Sequence, residues 1–140
     1  MQQASATWKE GMSFSGTADS VFTVAMSGSA AAGGAEDGFR PTELVLVGLA
    51  GCTGIDVMSI LKKKRQTVTG LEVKVSAVKA SEVPTGFTAI QIHYVVTGHE
   101  VAPAAVAQAV QLSAEKYCSV SAMLEKTAVV EHTLEVLAAN

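Results

Sequence analysis

Three stretches of strand-favouring residues, separated by polar turn residues, predict three short strands near the start of the chain. Residues 5–9, 12–16 and 21–26 are rich in residues that favour strands, and Glu10-Gly11 and Asp19-Ser20 supply turn residues between them. Consecutive strands joined by tight turns usually pair with each other. The pattern therefore predicts a three-stranded meander.

A change of pattern marks the end of this region. Residues 29–38 (SAAAGGAEDG) are small, glycine-rich and acidic, which predicts a mobile surface loop. Pro41 and Glu43 then give a helix start, because proline fits the first turn and an acid complements the helix dipole. Residues 44–61 are apolar almost throughout, and the basic run KKKR over residues 62–65 suits the helix end. We predict one long helix.

This helix is apolar on nearly every side. We disfavour a membrane span, because the stretch is slightly shorter than about 20 residues and carries Asp56 and three glycines. A helix buried in protein on all sides needs cover all round, which a second copy of the chain would supply. Gly48, Gly51 and Gly54 would let another helix or strand approach closely. We therefore expect a homodimer.

The rest of the chain returns to strands and ends on one. The predicted elements are a hairpin of residues 71–77 and 90–96 with its turn at 84–86, a helix over 103–117, a short helix over 121–125 and a strand over 129–137. The order βββ-α-ββ-α-β indicates an α+β fold with mostly antiparallel sheets around a central buried helix. A length of 140 residues fits a single domain over residues 1–140.

Charge and composition limit the classes of binding partner and the cellular compartment that we expect. The formal net charge is -3 and no basic face with interleaved aromatics is visible, so we expect no nucleic-acid partner. The start MQQASATWKEG lacks the basic and apolar regions of a secretory signal, which predicts a cytoplasmic protein. In that reducing compartment, two cysteines are free thiols, metal ligands or a transient catalytic pair more often than a structural disulfide.

The two cysteines stand in different helices. Cys52 lies in GLAGCTGIDV, in the middle of the long helix, and Cys118 ends the second helix in AEKYCSVSAML. No CxxC or HxxxH spacing occurs and the three histidines are scattered, so we expect no metal and no cofactor. Inert packing and thiol chemistry both remain open on this evidence, because cysteine also packs as a small hydrophobe.

The segments FRPTELVLVGLAGCTGIDV and EKYCSVSAML resemble the OsmC/Ohr family of osmotically inducible and organic hydroperoxide resistance proteins. The resemblance implies an intertwined homodimer with active sites at the subunit interface. It also implies reduction of organic hydroperoxides and hydrogen peroxide, with Cys52 as peroxidatic and Cys118 as resolving cysteine. A dithiol reductant of the lipoyl or thioredoxin type would then restore the pair. The alternative is a non-catalytic family member that binds a small apolar or electrophilic ligand at that interface.

A peroxidatic thiolate needs a nearby cation or hydrogen-bond donor. Arg40 is the only arginine ahead of Cys52, and twelve helical residues span roughly 18 Å. Only Arg40 of a second copy would therefore reach the sulfur, held by Glu43. The family's arginine comes from the N-terminal strands and its acid follows a proline, so Arg40 and Glu43 are substitutes rather than matched residues. A helix cap with a local ion pair is the alternative.

Asp56 lies one turn after Cys52 on the same helix face. An ionised carboxylate there would raise the pKa of a neighbouring thiol. We interpret Asp56 as a buried, hydrogen-bonded helix acid, and an ionised carboxylate beside Cys52 would lower the efficiency of peroxide reduction.

Overall fold

The computed structural model describes all 140 residues and divides them into two compact units, Met1–Val45 and Leu46–Asn140. Compactness of a unit does not establish that it folds independently, so the single domain over residues 1–140 stays a prediction.

The first unit contains the predicted meander. Strands β1 (Ala4–Glu10), β2 (Ser13–Ala18) and β3 (Thr23–Ser27) form an antiparallel sheet in the order β1-β2-β3. Gly11 makes the turn between β1 and β2 with φ of 54°, a left-handed conformation that glycine adopts without a steric penalty. The meander predicted from strand-favouring stretches and turn residues is confirmed.

The small, acidic segment after β3 lies on the surface but has more local structure than we predicted. It forms a 3₁₀ turn over Ala30–Ala32, and the amide of Gly34 donates to the carbonyl of Ser29 at 2.8 Å. A Cβ on Gly34 would lie 1.8 Å from the carbonyl oxygen of Gly28, so only glycine allows this close approach. Gly34 therefore serves a tight backbone contact within this segment.

A single helix, α1 (Pro41–Lys63), follows as predicted. Leu49, Thr53, Val57 and Leu61 are fully or almost fully buried. Because residues four apart lie on one face of a helix, these side chains form a single buried stripe. The single chain therefore covers α1 on one face only, and the predicted burial on every side depends on a second copy of the chain.

The opposite side of α1 is open in the single chain. Ile55 is 73% exposed, and a Cβ added at Gly48 or Gly51 would meet no atom within 4 Å. Gly54 lies against β4, where an added Cβ would be 3.4 Å from Cγ2 of Val73. One of the three glycines therefore permits a close contact within the chain. The homodimer that would cover the rest stays a prediction.

Helix α1 also meets the length and composition of a membrane span. Its most apolar 18-residue window has a mean hydropathy of 2.0, and 22% of that window is buried. One such helix is weak evidence, because the core helix of a soluble protein satisfies the same criteria. The expectation that the protein does not enter a membrane stays a prediction.

The second unit is built on a three-stranded sheet of order β4-β5-β6. Strands β4 (Thr67–Lys79) and β5 (Phe87–His99) form the predicted antiparallel hairpin, and β6 (Val129–Ala138) pairs with β5 in parallel. Three of the four strand pairings in the chain are thus antiparallel, which agrees with the predicted α+β class. The parallel pairing requires a crossover between β5 and β6.

That crossover carries the remaining helices. Helix α2 (Pro103–Leu112) continues into a π-helical turn over Ser113–Tyr117, and α3 (Ser119–Leu124) follows after Cys118. The predicted helical extent is confirmed, whereas the widened last turn was not foreseen. Such π turns are rare and often occur at functional sites.

The core of the second unit lies between this sheet and the helices. Strand β5 contributes side chains with no exposed surface, and they pack with the buried stripe of α1 and with Val106 and Ala109 of α2. The fully buried β5 side chains are those of Ile90, Ile92, Tyr94 and Val96.

Candidate functional site

The second unit brings the two cysteines together. Cys52 is half-buried on α1, Cys118 is 3% exposed between the π turn and α3, and both are free thiols. Their sulfur atoms and a carboxylate oxygen of Asp56 all lie within 4.8 Å of one another. Elements 66 positions apart in sequence therefore converge on one small polar cluster, which we call the Cys-Asp-Cys cluster.

Local structure fixes where each member lies. Cys52 and Asp56 are four residues apart on α1, so their side chains share a face beside the buried stripe. The amide of Cys118 donates to the carbonyl of Ser113 at 2.8 Å, which closes the π turn. The amide of Ser121 donates to Sγ of Cys118 at 3.3 Å, so the sulfur also caps the start of α3.

Asp56 accepts a hydrogen bond from the crossover between β5 and β6 and forms no ion pair with a cation. The hydroxyl of Ser113 donates to Oδ2 of Asp56 at 3.0 Å. None of the four ion pairs in the chain includes Asp56. The predicted hydrogen bond of Asp56 is confirmed, with a partner from a segment 57 residues away, whereas the carboxylate is half-buried rather than buried as predicted.

The surroundings of Cys118 oppose its ionisation. Burial raises the pKa of Cys118 to about 11, the hydrogen bond from the Ser121 amide works in the opposite direction, and nearby Cys52 and Asp56 raise it further. At neutral pH, Cys118 is therefore held as the thiol. Because the thiolate is the nucleophilic form of cysteine, Cys118 is poorly suited to begin a nucleophilic reaction.

Tyr94 on β5 lies near the cluster, and its ring stacks with that of His132 on β6. The phenol of Tyr94 contacts Nδ1 of His132 at 3.0 Å, and with the imidazole proton placed on Nε2 the phenol is the donor. Burial raises the pKa of Tyr94 to about 12, with an opposing effect of Thr53 and smaller raising effects of Cys118 and Asp56. Tyr94 is thus a neutral hydrogen-bond donor at physiological pH.

Lowering the pH is expected to destabilise the fold through His132. Burial lowers the pKa of His132 from its usual 6.5, while Glu125 partly opposes this. The unfolded chain therefore binds the proton first, so stability should fall as the pH drops below about 6.5 and level off below the folded pKa. Denaturant unfolding at neutral and mildly acidic pH would show this loss, and His132→Gln should reduce it.

His99→Gln, at an exposed position at the end of β5, is the control for losing one histidine. A pH dependence that is identical in wild type and His132→Gln would contradict the assignment. Tyr94 and Glu125 are the groups that face His132, and both are unchanged in this comparison.

Arg40 and Glu43 lie in the first unit, just before and at the start of α1. A carboxylate oxygen of Glu43 accepts from the backbone amide of Arg40 at 2.7 Å. The Arg40 guanidinium lies 3.6 Å from Glu43 and 3.9 Å from Glu36. These contacts match the alternative of a helix cap with a local ion pair. The proposed role of Arg40 at the Cys52 of a second copy stays a prediction.

Sequence reasoning did not find Ser113, Ser121 or Tyr94 as neighbours of the cysteines. Ser113 and Tyr94 belong to no motif around either cysteine, and Ser121 acts through its backbone amide, which every residue except proline carries. It also missed the grouping of three metal-ligating residue types, because the spacing rules consider ligands close in sequence.

Several known proteins are similar to this chain in sequence and in structure. The family model for OsmC-like protein matches residues 33–133. The chain is 45% identical to Protein YhfA of Escherichia coli over 137 residues, which cover 98% of this chain and 99% of YhfA. A crystal structure of a hypothetical protein from Aquifex aeolicus VF5 is 31% identical with a TM-score of 0.87, covering 100% of this chain and 98% of that chain.

A more distant structure shares the fold. The organic hydroperoxide resistance protein OhrB of Bacillus subtilis is 24% identical with a TM-score of 0.64, covering 96% of this chain and 98% of OhrB. The resemblance seen in the two cysteine segments is confirmed by these findings, and so is the expected fold. The chain belongs to the family of OsmC-like proteins.

Proposed function

We propose that this protein is a thiol peroxidase that reduces organic hydroperoxides through Cys52 and Cys118. The observation that carries the proposal is the separation of at most 4.8 Å between two free thiols, one half-buried and one buried. A modest rotation of the side chains would close that gap to the roughly 2.05 Å of a disulfide. The name of OhrB, which shares the fold, is consistent with this chemistry.

The reaction proceeds in three balanced steps. The Cys52 thiolate attacks one peroxide oxygen, the O–O bond breaks, and the alcohol leaves after taking up a proton, which turns Cys52 into a sulfenic acid. The sulfur of Cys118 then attacks that of Cys52, so that water leaves and a disulfide forms. A dithiol reductant returns two electrons and two protons by thiol–disulfide exchange.

The assignment of roles follows from exposure and charge. Cys52 is the more exposed of the two residues, since it is half-buried whereas Cys118 is 3% exposed. The raised pKa of Cys118 supports the same order, because a thiol protonated at neutral pH reacts slowly with peroxide. Cys118 acts second, when the sulfenic acid of Cys52 offers an electrophilic sulfur within reach.

The proposal includes a homodimer, a cellular location and a reductant. In a homodimer, Arg40 of the second copy, held by Glu43, would stabilise the Cys52 thiolate at the subunit interface. The location is cytoplasmic and the reductant is a dithiol of the lipoyl or thioredoxin type.

Organic hydroperoxide without reductant is expected to convert the two thiols into one disulfide within each chain. Both thiols of the reduced protein should stop reacting with a thiol reagent, and mass spectrometry should show the loss of two hydrogen atoms without a mass-doubled species. The short distance between the sulfurs is the reason.

Cys118→Ser is the matched variant for this experiment. It should stop at the Cys52 sulfenic acid, which a dione reagent traps, because no second thiol remains nearby. Two thiols that stay titratable after peroxide treatment would contradict the proposal and favour the ligand-binding alternative.

A further inference from the structure

The Cys-Asp-Cys cluster presents three side chains of metal-ligating types at one point. The sulfur atoms of Cys52 and Cys118 and an oxygen of Asp56 are mutually within 4.8 Å. Tetrahedral zinc holds sulfur at about 2.3 Å and carboxylate oxygen at about 2.1 Å, which puts ligand atoms about 3.5 to 3.8 Å apart. Side-chain rotation of the order of 1 Å would bring the three groups to that geometry.

The chemistry of the three groups selects among metal ions. Thiolates favour borderline and soft cations, whereas calcium and magnesium require oxygen ligands. Zinc accepts a mixed set of sulfur and carboxylate ligands, and it has no redox chemistry that would oxidise the thiols. The fourth tetrahedral position would be left to water.

Hydrogen bonds already orient two of the three groups. The Ser113 hydroxyl donates to Asp56 at 3.0 Å, and the Ser121 amide donates to the Cys118 sulfur at 3.3 Å. Outer partners of this kind are typical of metal sites, where they hold ligands in position and strengthen binding. Here both come from the crossover segment that carries Cys118.

The negative charges of the cluster also favour a bound cation. Asp56 has no cationic partner in the chain, and it stands beside two thiols whose ionised forms would add further negative charge. A divalent cation would offset two of the three negative charges that the ionised groups carry.

Asp56 is also accessible. It lines a surface cavity of about 350 Å³ together with Ile60, Lys63 and Tyr117. An ion from solvent can therefore approach the carboxylate without unfolding of the core.

We propose that the reduced protein binds one zinc ion per chain through Cys52, Cys118 and Asp56. Binding releases the two thiol protons and moves no electrons. Because the disulfide uses the same sulfur atoms, zinc and the oxidised form exclude each other, and zinc would block attack on peroxide. The site requires only the reduced thiols and the acid, so it goes beyond the peroxidase proposal and does not depend on it.

The test is a titration of the reduced full-length chain with zinc in competition with a chromophoric chelator. Cobalt(II) serves as the spectroscopic probe. We expect one zinc per chain, and cobalt should give sulfur-to-metal charge transfer in the near ultraviolet with visible bands of tetrahedral cobalt. The disulfide form, prepared with a chemical oxidant, should show neither.

Variants distinguish zinc binding by all three ligands from zinc binding by the two thiols alone. Asp56→Asn should weaken zinc binding by more than about tenfold, and Ser113→Ala by about tenfold, which is the lower range for loss of an outer partner. Glu131→Gln, which removes an exposed carboxylate from β6 in the same unit, should leave affinity unchanged. If Asp56→Asn proves unfolded by circular dichroism, Ser113→Ala carries the comparison.

Three results would overturn the inference. They are equal zinc affinity in wild type, Asp56→Asn and Ser113→Ala, a cobalt spectrum without charge transfer, and binding that survives when both cysteines are replaced by serine. Peroxide-driven loss of thiols is measured separately on metal-free wild type. A protein that binds zinc but forms no disulfide refutes only the peroxidase proposal, and the reverse outcome refutes only this inference.

Discussion

Cys52→Ser is expected to reduce hydroperoxide consumption to the rate of the buffer without enzyme. A serine hydroxyl is not ionised at neutral pH and does not form a sulfenic acid, so the first chemical step disappears. The measurement is the loss of an organic hydroperoxide in the presence of excess small dithiol. The fold should survive, because the half-buried Cys52 exchanges one small side chain for another.

Cys118→Ser provides the contrast in the same assay. It retains the first attack on peroxide, so one equivalent per chain should be consumed rapidly, and further turnover then depends on the external dithiol. Circular dichroism and thermal unfolding establish that both variants are folded. Full activity in Cys52→Ser would refute the enzyme assignment.

Leu61→Ala is expected to cost about 2 to 5 kcal/mol of the free energy of unfolding, the usual range for removing a buried leucine side chain. Leu61 has no exposed surface and belongs to the core of the second unit. Domains of this size are typically stable by about 5 to 15 kcal/mol, so the loss is a large part of the total. Denaturant unfolding measured by circular dichroism gives the value.

Leu137→Ala is the matched control, because Leu137 on β6 is 46% exposed. The same atoms are removed from a position that water already reaches, so the loss should be much smaller. Equal losses in the two variants would show that the buried stripe of α1 does not carry the stability that its burial indicates.

Local pattern was enough to predict most of the elements. Strand-favouring residues and turn signals in the first 26 residues predicted β1 to β3, the apolar run after Pro41 predicted α1, and two alternating stretches predicted the β4–β5 hairpin. These structures depend on residues close in sequence, whose spacing matches the period of a helix or a strand. The proximity of Cys52 and Asp56 followed in the same way, because positions four apart share a helix face.

Contacts between distant segments were decided only by tertiary structure. The parallel pairing of β6 with β5 depends on the path of the crossover, and the π turn that delivers Cys118 has no pattern in the sequence. The contact of Ser113 with Asp56 and that of Tyr94 with His132 join residues 57 and 38 positions apart.

The family resemblance predicted that the two cysteines work together, but it gave no distance and did not identify the groups around them. The sequence by itself therefore determined which elements form and which thiols are candidates. The tertiary structure decided that the two sulfurs and the carboxylate lie within 4.8 Å of one another. The reason is physical: local periodicity determines the face on which a side chain lies, whereas burial of the whole core selects which faces meet.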